Sequence, residues 1–150
     1  MKTITLLAFI FLANLTFSQE KNCGTPNIQL KTYNFAKSNL EKISEFINDK
    51  NSLIEVSIEM NNKKINQIKY NLILPSDNYS GKNKSEIEVW TELNKFILKT
   101  VKIEIEKCPN FDYEKVTFRV PVSIEYIEKA ITEVNQILLE QEKMKKESKN

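Results

Sequence analysis

The sequence predicts a small two-layer α+β domain, in which a three-stranded antiparallel sheet packs against two helices and a long C-terminal helix follows. Three observations support this prediction. Two stretches within 53–74 alternate apolar and polar residues and are separated by a polar turn. A third alternating stretch begins at Val116. Apolar residues recur at helical spacing near residues 35–47, 88–101 and 127–144, and the first two of these helices supply the surface that buries the apolar face of the strands.

The first eighteen residues predict a signal peptide. Lys2 precedes an apolar run over residues 4–17, which has the length of a signal h-region and is short for a membrane span. Thr16-Phe17-Ser18 gives the small-x-small pattern that signal peptidase recognises, so we expect cleavage before Gln19. The alternative is an uncleaved N-terminal anchor. The expected location is periplasmic or secreted, with no stable membrane span after cleavage.

Composition argues against catalysis and against nucleic-acid binding. The chain has no histidine, the commonest general base near neutral pH and the commonest metal ligand. We therefore expect no enzyme activity, no metal and no cofactor. The formal net charge of +2 becomes +1 when Lys2 is removed with the leader, and so balanced a chain offers no basic face for nucleic acid. The heavy use of lysine, asparagine and isoleucine indicates an AT-rich bacterial genome.

The two cysteines, Cys23 and Cys108, are expected to form a disulfide, because an exported chain with an even cysteine count favours pairing. On chain-entropy grounds a bridge closing so long a loop contributes roughly 4 kcal/mol. It would pin the N-terminal segment to the body of the domain. The alternative is two unpaired thiols.

The N-terminal half divides into an arm, a helix and a hairpin. Residues 19–33 show no apolar periodicity and Gly24-Thr25-Pro26 predicts a turn, so we expect an irregular N-terminal arm there. The α+β domain proper is expected over 34–126. Asn34 is the expected N-cap of a first helix that ends near Asp49. The hairpin follows, with Asn61-Asn62-Lys63 as its turn.

The C-terminal half is expected to contain a helix, a strand and a second helix. Ser85-Glu86-Ile87-Glu88 predicts a capping box at the start of the first of these, and residues 103–106 either extend it or form a short extended piece. The third strand alternates from Val116 to Tyr126, and Pro121 within it indicates a sheet edge. Residues 127–150 predict an amphipathic helix whose polar last ten residues fray. This helix either packs back onto the domain or binds a partner.

The order of these elements resembles the C-terminal domain of TonB and its bacterial relatives. Residues 54–65 are similar to the first strand and turn of that family, 86–96 to its capped second helix, and 116–122 to its closing strand. The hairpin turn here is Asn-Asn-Lys where the family usually has glycine, and Lys107-Cys108-Pro109 stands where it often has a tryptophan-proline pair. The histidine-bearing membrane helix and proline-rich spacer of an energy transducer are not evident. The chain therefore looks like a diverged, stand-alone, exported relative.

The resemblance implies non-covalent binding, in which a partner peptide adds as a strand to an exposed sheet edge. The implied partner is an outer-membrane receptor or a peptide segment of one. The expected edge strand comprises Val116, Thr117, Phe118, Arg119, Val120, Pro121 and Val122, with Thr117 and Arg119 on the solvent side. The alternative for this strand is a purely structural role with a protected edge. The alternative function is a small secreted inhibitor or ligand-binding protein that one disulfide stabilises.

Three further residue patterns have a structural and a functional interpretation. Glu55 with Glu59 and Glu104 with Glu106 could be paired carboxylates, but a solvated polar face is favoured, with lysines 63, 64 and 69 neutralising the first pair. Trp90 is expected in the core rather than on a binding platform.

Overall fold

The computed structural model describes residues 24–74, 84–108, 111 and 113–147. The predicted signal peptide and Cys23 lie outside these residues. The described chain forms a three-stranded antiparallel sheet of order β2-β1-β3 together with four helices, which confirms the predicted α+β fold. In chain order the elements are α1 Thr25–Ser38, α2 Leu40–Ser44, β1 Leu53–Asn61, β2 Lys64–Ile73, α3 Lys84–Lys107, β3 Lys115–Pro121 and α4 Ile124–Glu147.

The sheet buries one face against the helices and leaves the other face polar. On the buried face, Ile54, Val56 and Ile58 of β1 and Phe118 of β3 are at most 1% exposed. Residues from three helices belong to the same core: Ile28, Ala36, Leu93, Ile97, Val101, Ile127 and Val134. Removing these side chains from water is the main term that holds the two layers together.

The predicted hairpin forms, and its turn explains the asparagine-rich sequence. Asn62 and Lys63 both have positive φ, 49° and 61°. Positive φ at both central residues is what a type I′ hairpin turn requires, and asparagine tolerates that conformation. The β1–β2 register shifts between Glu59 and Met60, and it is regular from there to the pair Leu53 and Ile73.

The predicted irregular arm is wrong from Thr25 onwards, where α1 begins. Pro26 lies in the first turn of this helix, where a missing N–H costs no hydrogen bond. The buried face of α1 includes Ile28, Thr32 and Ala36. Thr32 is fully buried, and its hydroxyl donates to the Ile28 carbonyl at 2.7 Å. Because this buried face contains polar as well as apolar residues, apolar periodicity alone did not reveal it.

The first predicted helix is in fact two helices with a break at Asn39. Asn34, the expected N-cap, lies inside α1, and its side-chain amide donates to the Leu30 carbonyl at 2.9 Å. Asn39 separates α1 from α2, and its side-chain amide donates to the Phe35 carbonyl at 2.9 Å. Asn39 departs from helical geometry, with φ of −113° and ψ of 15°, so the helix breaks at this residue.

The two long helices both differ from their expected bounds. Residues 103–106 belong to α3, which continues to Lys107. Ser85 lies inside α3, and its hydroxyl donates to the Glu45 carboxylate. Helix α4 begins at Ile124, before its expected start at 127, and continues to Glu147. Residues 148–150 lie outside the described part of the chain, so the expected fraying of the polar end stays a prediction. The Ser123 hydroxyl accepts from the Tyr126 N–H at 3.4 Å, a capping contact that the strand-like alternation of 120–126 did not indicate.

Candidate functional site

Strand β3 lies at an edge of the sheet. It pairs with β1 in antiparallel register, from Leu53 opposite Pro121 to Glu59 opposite Lys115. Among the described strands, none pairs with the other side of β3. The edge position inferred from Pro121 agrees with this order. Val122, expected as the last edge residue, lies just beyond the strand.

The register decides which backbone groups of β3 point away from the sheet. The Met60 N–H donates to the Glu114 carbonyl at 2.8 Å, so this pair is of the hydrogen-bonded type. Hydrogen-bonded pairs alternate along an antiparallel ladder. Val116, Phe118 and Val120 therefore direct their N–H and C=O groups towards β1. The outward groups are those of Lys115, Thr117 and Arg119, and Pro121 occupies an outward position, where its missing N–H removes no ladder bond.

The side chains of the outward residues of β3 lie on the polar face of the sheet. The hydroxyls of Thr117 and Ser57 are 3.2 Å apart, within hydrogen-bond distance. The Arg119 Nε donates to Glu55 at 3.2 Å. Glu55 is therefore neutralised from β3, and not by the hairpin lysines as expected.

Glu59 is paired with Lys69, as the hairpin pattern predicted. The Lys69 Nζ donates to Glu59 at 2.9 Å. This hydrogen bond, then the charge of Lys69 and more weakly the charge of Lys115, lowers the pKa of Glu59 below its ordinary value. With cations against both, Glu55 and Glu59 form an ion-paired polar face and not an acid-base pair.

Glu104 does not belong to a solvated face, which corrects the expectation for the second carboxylate pair. It is 2% exposed, although it is an ionisable residue. The Lys31 ammonium donates to it at 3.0 Å and the Asn27 amide at 3.3 Å, both from α1. Glu104 thus ties the C-terminal part of α3 to the helix that the sequence left unassigned.

A groove of about 860 Å³ lies between β2 and the first half of α3. Tyr70 and Trp90 stack in it with ring centroids 5.4 Å apart and planes at 17°. The Trp90 Nε1 donates to Glu86 at 3.0 Å, and the Tyr70 hydroxyl donates to Asn94 at 3.3 Å. Burial raises the pKa of Tyr70 above its ordinary value. Trp90 thus belongs both to the edge of the core and to the wall of the groove.

Of the two cysteines in the predicted disulfide, Cys108 lies within the described residues and Cys23 does not. Cys108 is 5% exposed, and its carbonyl accepts from the Phe111 N–H at 2.9 Å. The Phe111 ring lies against Gly24, where an added Cβ would stand 2.1 Å from the ring. Cys23 immediately precedes Gly24 but lies outside the described residues, so the bridge stays a prediction.

No protein-family model, curated protein or solved structure matches the chain. The resemblance to the TonB C-terminal domain therefore stays a prediction that rests on the residue pattern. In the part of the chain that the structure describes, no cluster of three or more histidine, cysteine or carboxylate side chains could hold a metal ion. None of the described helices is long and apolar enough to cross a membrane.

Proposed function

We propose that the chain is an exported, non-catalytic protein-interaction domain that binds an extended peptide by strand addition to the outer side of β3. The edge position of β3 is the observation that supports this proposal. Lys115, Thr117 and Arg119 present outward N–H and C=O groups, which are the groups that an added strand pairs with. A peptide segment of an outer-membrane receptor is the partner that the TonB resemblance favours.

The charges along the β3 edge favour an acidic peptide. Two of the three outward residues, Lys115 and Arg119, carry positive charge on the polar face of the sheet. Opposite charges on neighbouring strands stabilise their pairing, and like charges destabilise it. We therefore expect acidic side chains at the peptide positions opposite Lys115 and Arg119, which lie four residues apart.

We infer that Cys23 and Cys108 pair in an oxidising compartment and hold the start of α1 against the body of the domain. The contact between Gly24 and Phe111 supports this inference, because Phe111 is hydrogen-bonded to Cys108. The bridge would limit the unfolded ensemble without forming part of the binding edge.

Backbone amide exchange tests the strand-addition proposal. A linear peptide is first selected from a phage-displayed library and then synthesised. In the free protein, the amides of Thr117 and Arg119 should exchange faster than those of Phe118 and Val120, which are bonded to β1. On saturation with the peptide, the Thr117 and Arg119 amides should become protected. Tight peptide binding that leaves these two amides unprotected would contradict the proposal.

The groove between β2 and α3 supports a second candidate, an apolar-ligand-binding protein. Aromatic walls with a few fixed polar groups are typical of small-molecule sites. Trp90 is the sole tryptophan in the chain, so its fluorescence reports on this groove alone. Saturable quenching by anilinonaphthalene sulfonate that Tyr70→Ala weakens would favour this candidate, whereas unchanged Trp90 emission would count against it.

A further inference from the structure

The sheet has a second edge, on β2, and its backbone is also arranged for pairing. Because even-numbered residues of β1 bond to β3, its odd-numbered residues bond to β2. The N–H and C=O groups of Ile68, Tyr70 and Leu72 therefore point away from β1. Among the described strands, none pairs with this side of β2.

The β2 edge has few of the features that normally protect an exposed strand. Edge strands are usually blunted by charges, proline or a bulge. Between Ile65 and Leu74 the sole charged residue is Lys69, and it is ion-paired with Glu59 on the polar face. The register shift lies at the turn end and leaves 67–73 regular. Ile68, Tyr70 and Leu72 are half-buried, and Ile73 on the opposite face is 36% exposed.

We propose that this edge pairs with the same edge of a second copy of the chain, in an antiparallel two-fold dimer centred on Tyr70. A two-fold interface must be complementary to itself. In this register Tyr70 faces Tyr70 of the other copy, and Ile68 faces Leu72, so apolar side chains meet on the helix side. On the polar face Lys69 faces Asn71, and no like charges oppose each other. The pairing would join the two sheets into one of six strands.

The β3 edge is poorly suited to the same self-pairing. A dimer centred on Thr117 would place Lys115 opposite Arg119, and one centred on Arg119 would place that residue opposite itself. A dimer centred on Phe118 would place Pro121, which lacks an N–H, at a hydrogen-bonded position. The two sheet edges therefore suit different partners: the β2 edge suits a second copy of the chain, and the β3 edge suits a peptide from a different protein.

Asn71 offers the sharpest test, because it is exposed and faces a negative charge in the monomer but a positive charge in the proposed dimer. Within one copy it lies opposite Glu55, and in the proposed dimer it lies opposite Lys69 of the other copy. Asn71→Lys adds two like-charge pairs across the interface, whereas Asn71→Glu adds two opposite-charge pairs. Within the monomer the two substitutions have the reverse effect, so dimer affinity and monomer stability should change in opposite directions.

Sedimentation equilibrium of the processed protein over a range of concentrations measures the dimer directly. The wild type should show a monomer–dimer equilibrium. Asn71→Lys should weaken it roughly 2- to 30-fold, from two cross-strand charge pairs. Asn71→Glu should strengthen it. Asn135→Lys, the same change at an exposed position on α4, is the matched control and should leave it unchanged.

Three results would overturn the proposal. A wild-type protein that stays monomeric at every concentration excludes the dimer. Equal effects of Asn71→Lys and Asn135→Lys exclude the β2 interface, and weakening by Asn71→Glu excludes the register centred on Tyr70. The result is independent of peptide binding at β3, which Asn71 does not contact, so failure of one proposal leaves the other standing.

Discussion

The Lys31 ammonium of α1 lies 3.0 Å from the carboxylate of Glu104, whose side chain is 3% exposed at the far end of α3. This ion pair joins two helices that are distant in sequence. A buried carboxylate that loses its cationic partner keeps the cost of its burial without the compensating interaction.

Lys31→Met should therefore lower the free energy of unfolding by about 1–3 kcal/mol. Asn27 keeps one hydrogen bond to Glu104 at 3.3 Å, which limits the loss. The matched control is Lys37→Met on the same helix, because the ion pair of Lys37 with Glu128 is exposed at both ends. That control should cost less than about 1 kcal/mol. Urea unfolding measures the free energy of unfolding of both variants, provided that the m-value is unchanged. Equal losses of stability in Lys31→Met and Lys37→Met would contradict the role assigned to Glu104.

Removal of Lys69 should change the titration of Glu59. Lys69→Met should raise the pKa of Glu59 towards its ordinary value, since the Lys69 hydrogen bond is the largest cause of the depression. Lys115→Met should raise it by less, because Lys115 acts through charge alone. The ion pair stabilises the fold fully above the ordinary glutamate pKa, and the contribution disappears as the pH falls through the lower pKa of the folded state. A pH titration followed by carbon-13 NMR of the Glu59 carboxyl measures its pKa in each variant. Equal pKa changes in Lys69→Met and Lys115→Met would refute this prediction.

Gly24→Ala should destabilise the domain by more than about 1 kcal/mol. Gly24 has φ of 99°, which alanine adopts with strain, and the new Cβ would stand 2.1 Å from the Phe111 ring. Phe111→Leu removes the obstructing ring, although it costs stability itself because Phe111 is buried. The double variant should lose less than the sum of the two single losses. Additive losses in thermal unfolding would show that the ring does not limit this position.

Proline substitutions along β3 should alternate in effect. Thr117→Pro and Arg119→Pro remove outward N–H groups and should leave the domain folded while they weaken peptide binding. Phe118→Pro removes both an N–H bonded to β1 and a buried aromatic ring, and should cost about 3 kcal/mol or more. Thr117→Ala tests the side chain alone and should leave peptide binding nearly unchanged. Circular dichroism measures whether each variant is folded, and peptide titration measures its binding. Strand addition at β3 would be excluded if Thr117→Pro and Arg119→Pro both fold and bind the peptide as the wild type does.

If the chain is exported and Cys23 and Cys108 pair, the native protein should have close to no titratable thiol. Cys23→Ser and Cys108→Ser should each lower the melting temperature by several degrees, with about 4 kcal/mol as the upper bound of the lost stability. Cys108→Ser should cost more, because it also places a hydroxyl at a site that is 5% exposed. Addition of a reductant should abolish the effect of Cys23→Ser. Two reactive thiols in the native protein would disprove the bridge.

The candidate site was partly predictable from sequence. Alternation identified the third strand, and Pro121 indicated that it lies at an edge, because a proline is compatible with a ladder only where its missing N–H faces outward. Which residues present outward groups depends on the register with β1, and local sequence does not encode that register. The groove beside Trp90 was not predicted, since it arises where β2 meets α3.

The sequence by itself determined the hairpin, the third strand and the cores of the long helices, because their periodicity and turn residues act over a few neighbouring positions. Tertiary structure decided the rest. Thr32 is buried because α1 packs among the other helices, and its hydroxyl bonds back to Ile28. Glu104 is buried because Lys31 and Asn27 reach it from a distant segment. A polar residue can occupy a core only when partners brought there by the fold satisfy it, and a local pattern of apolar residues contains no record of those partners.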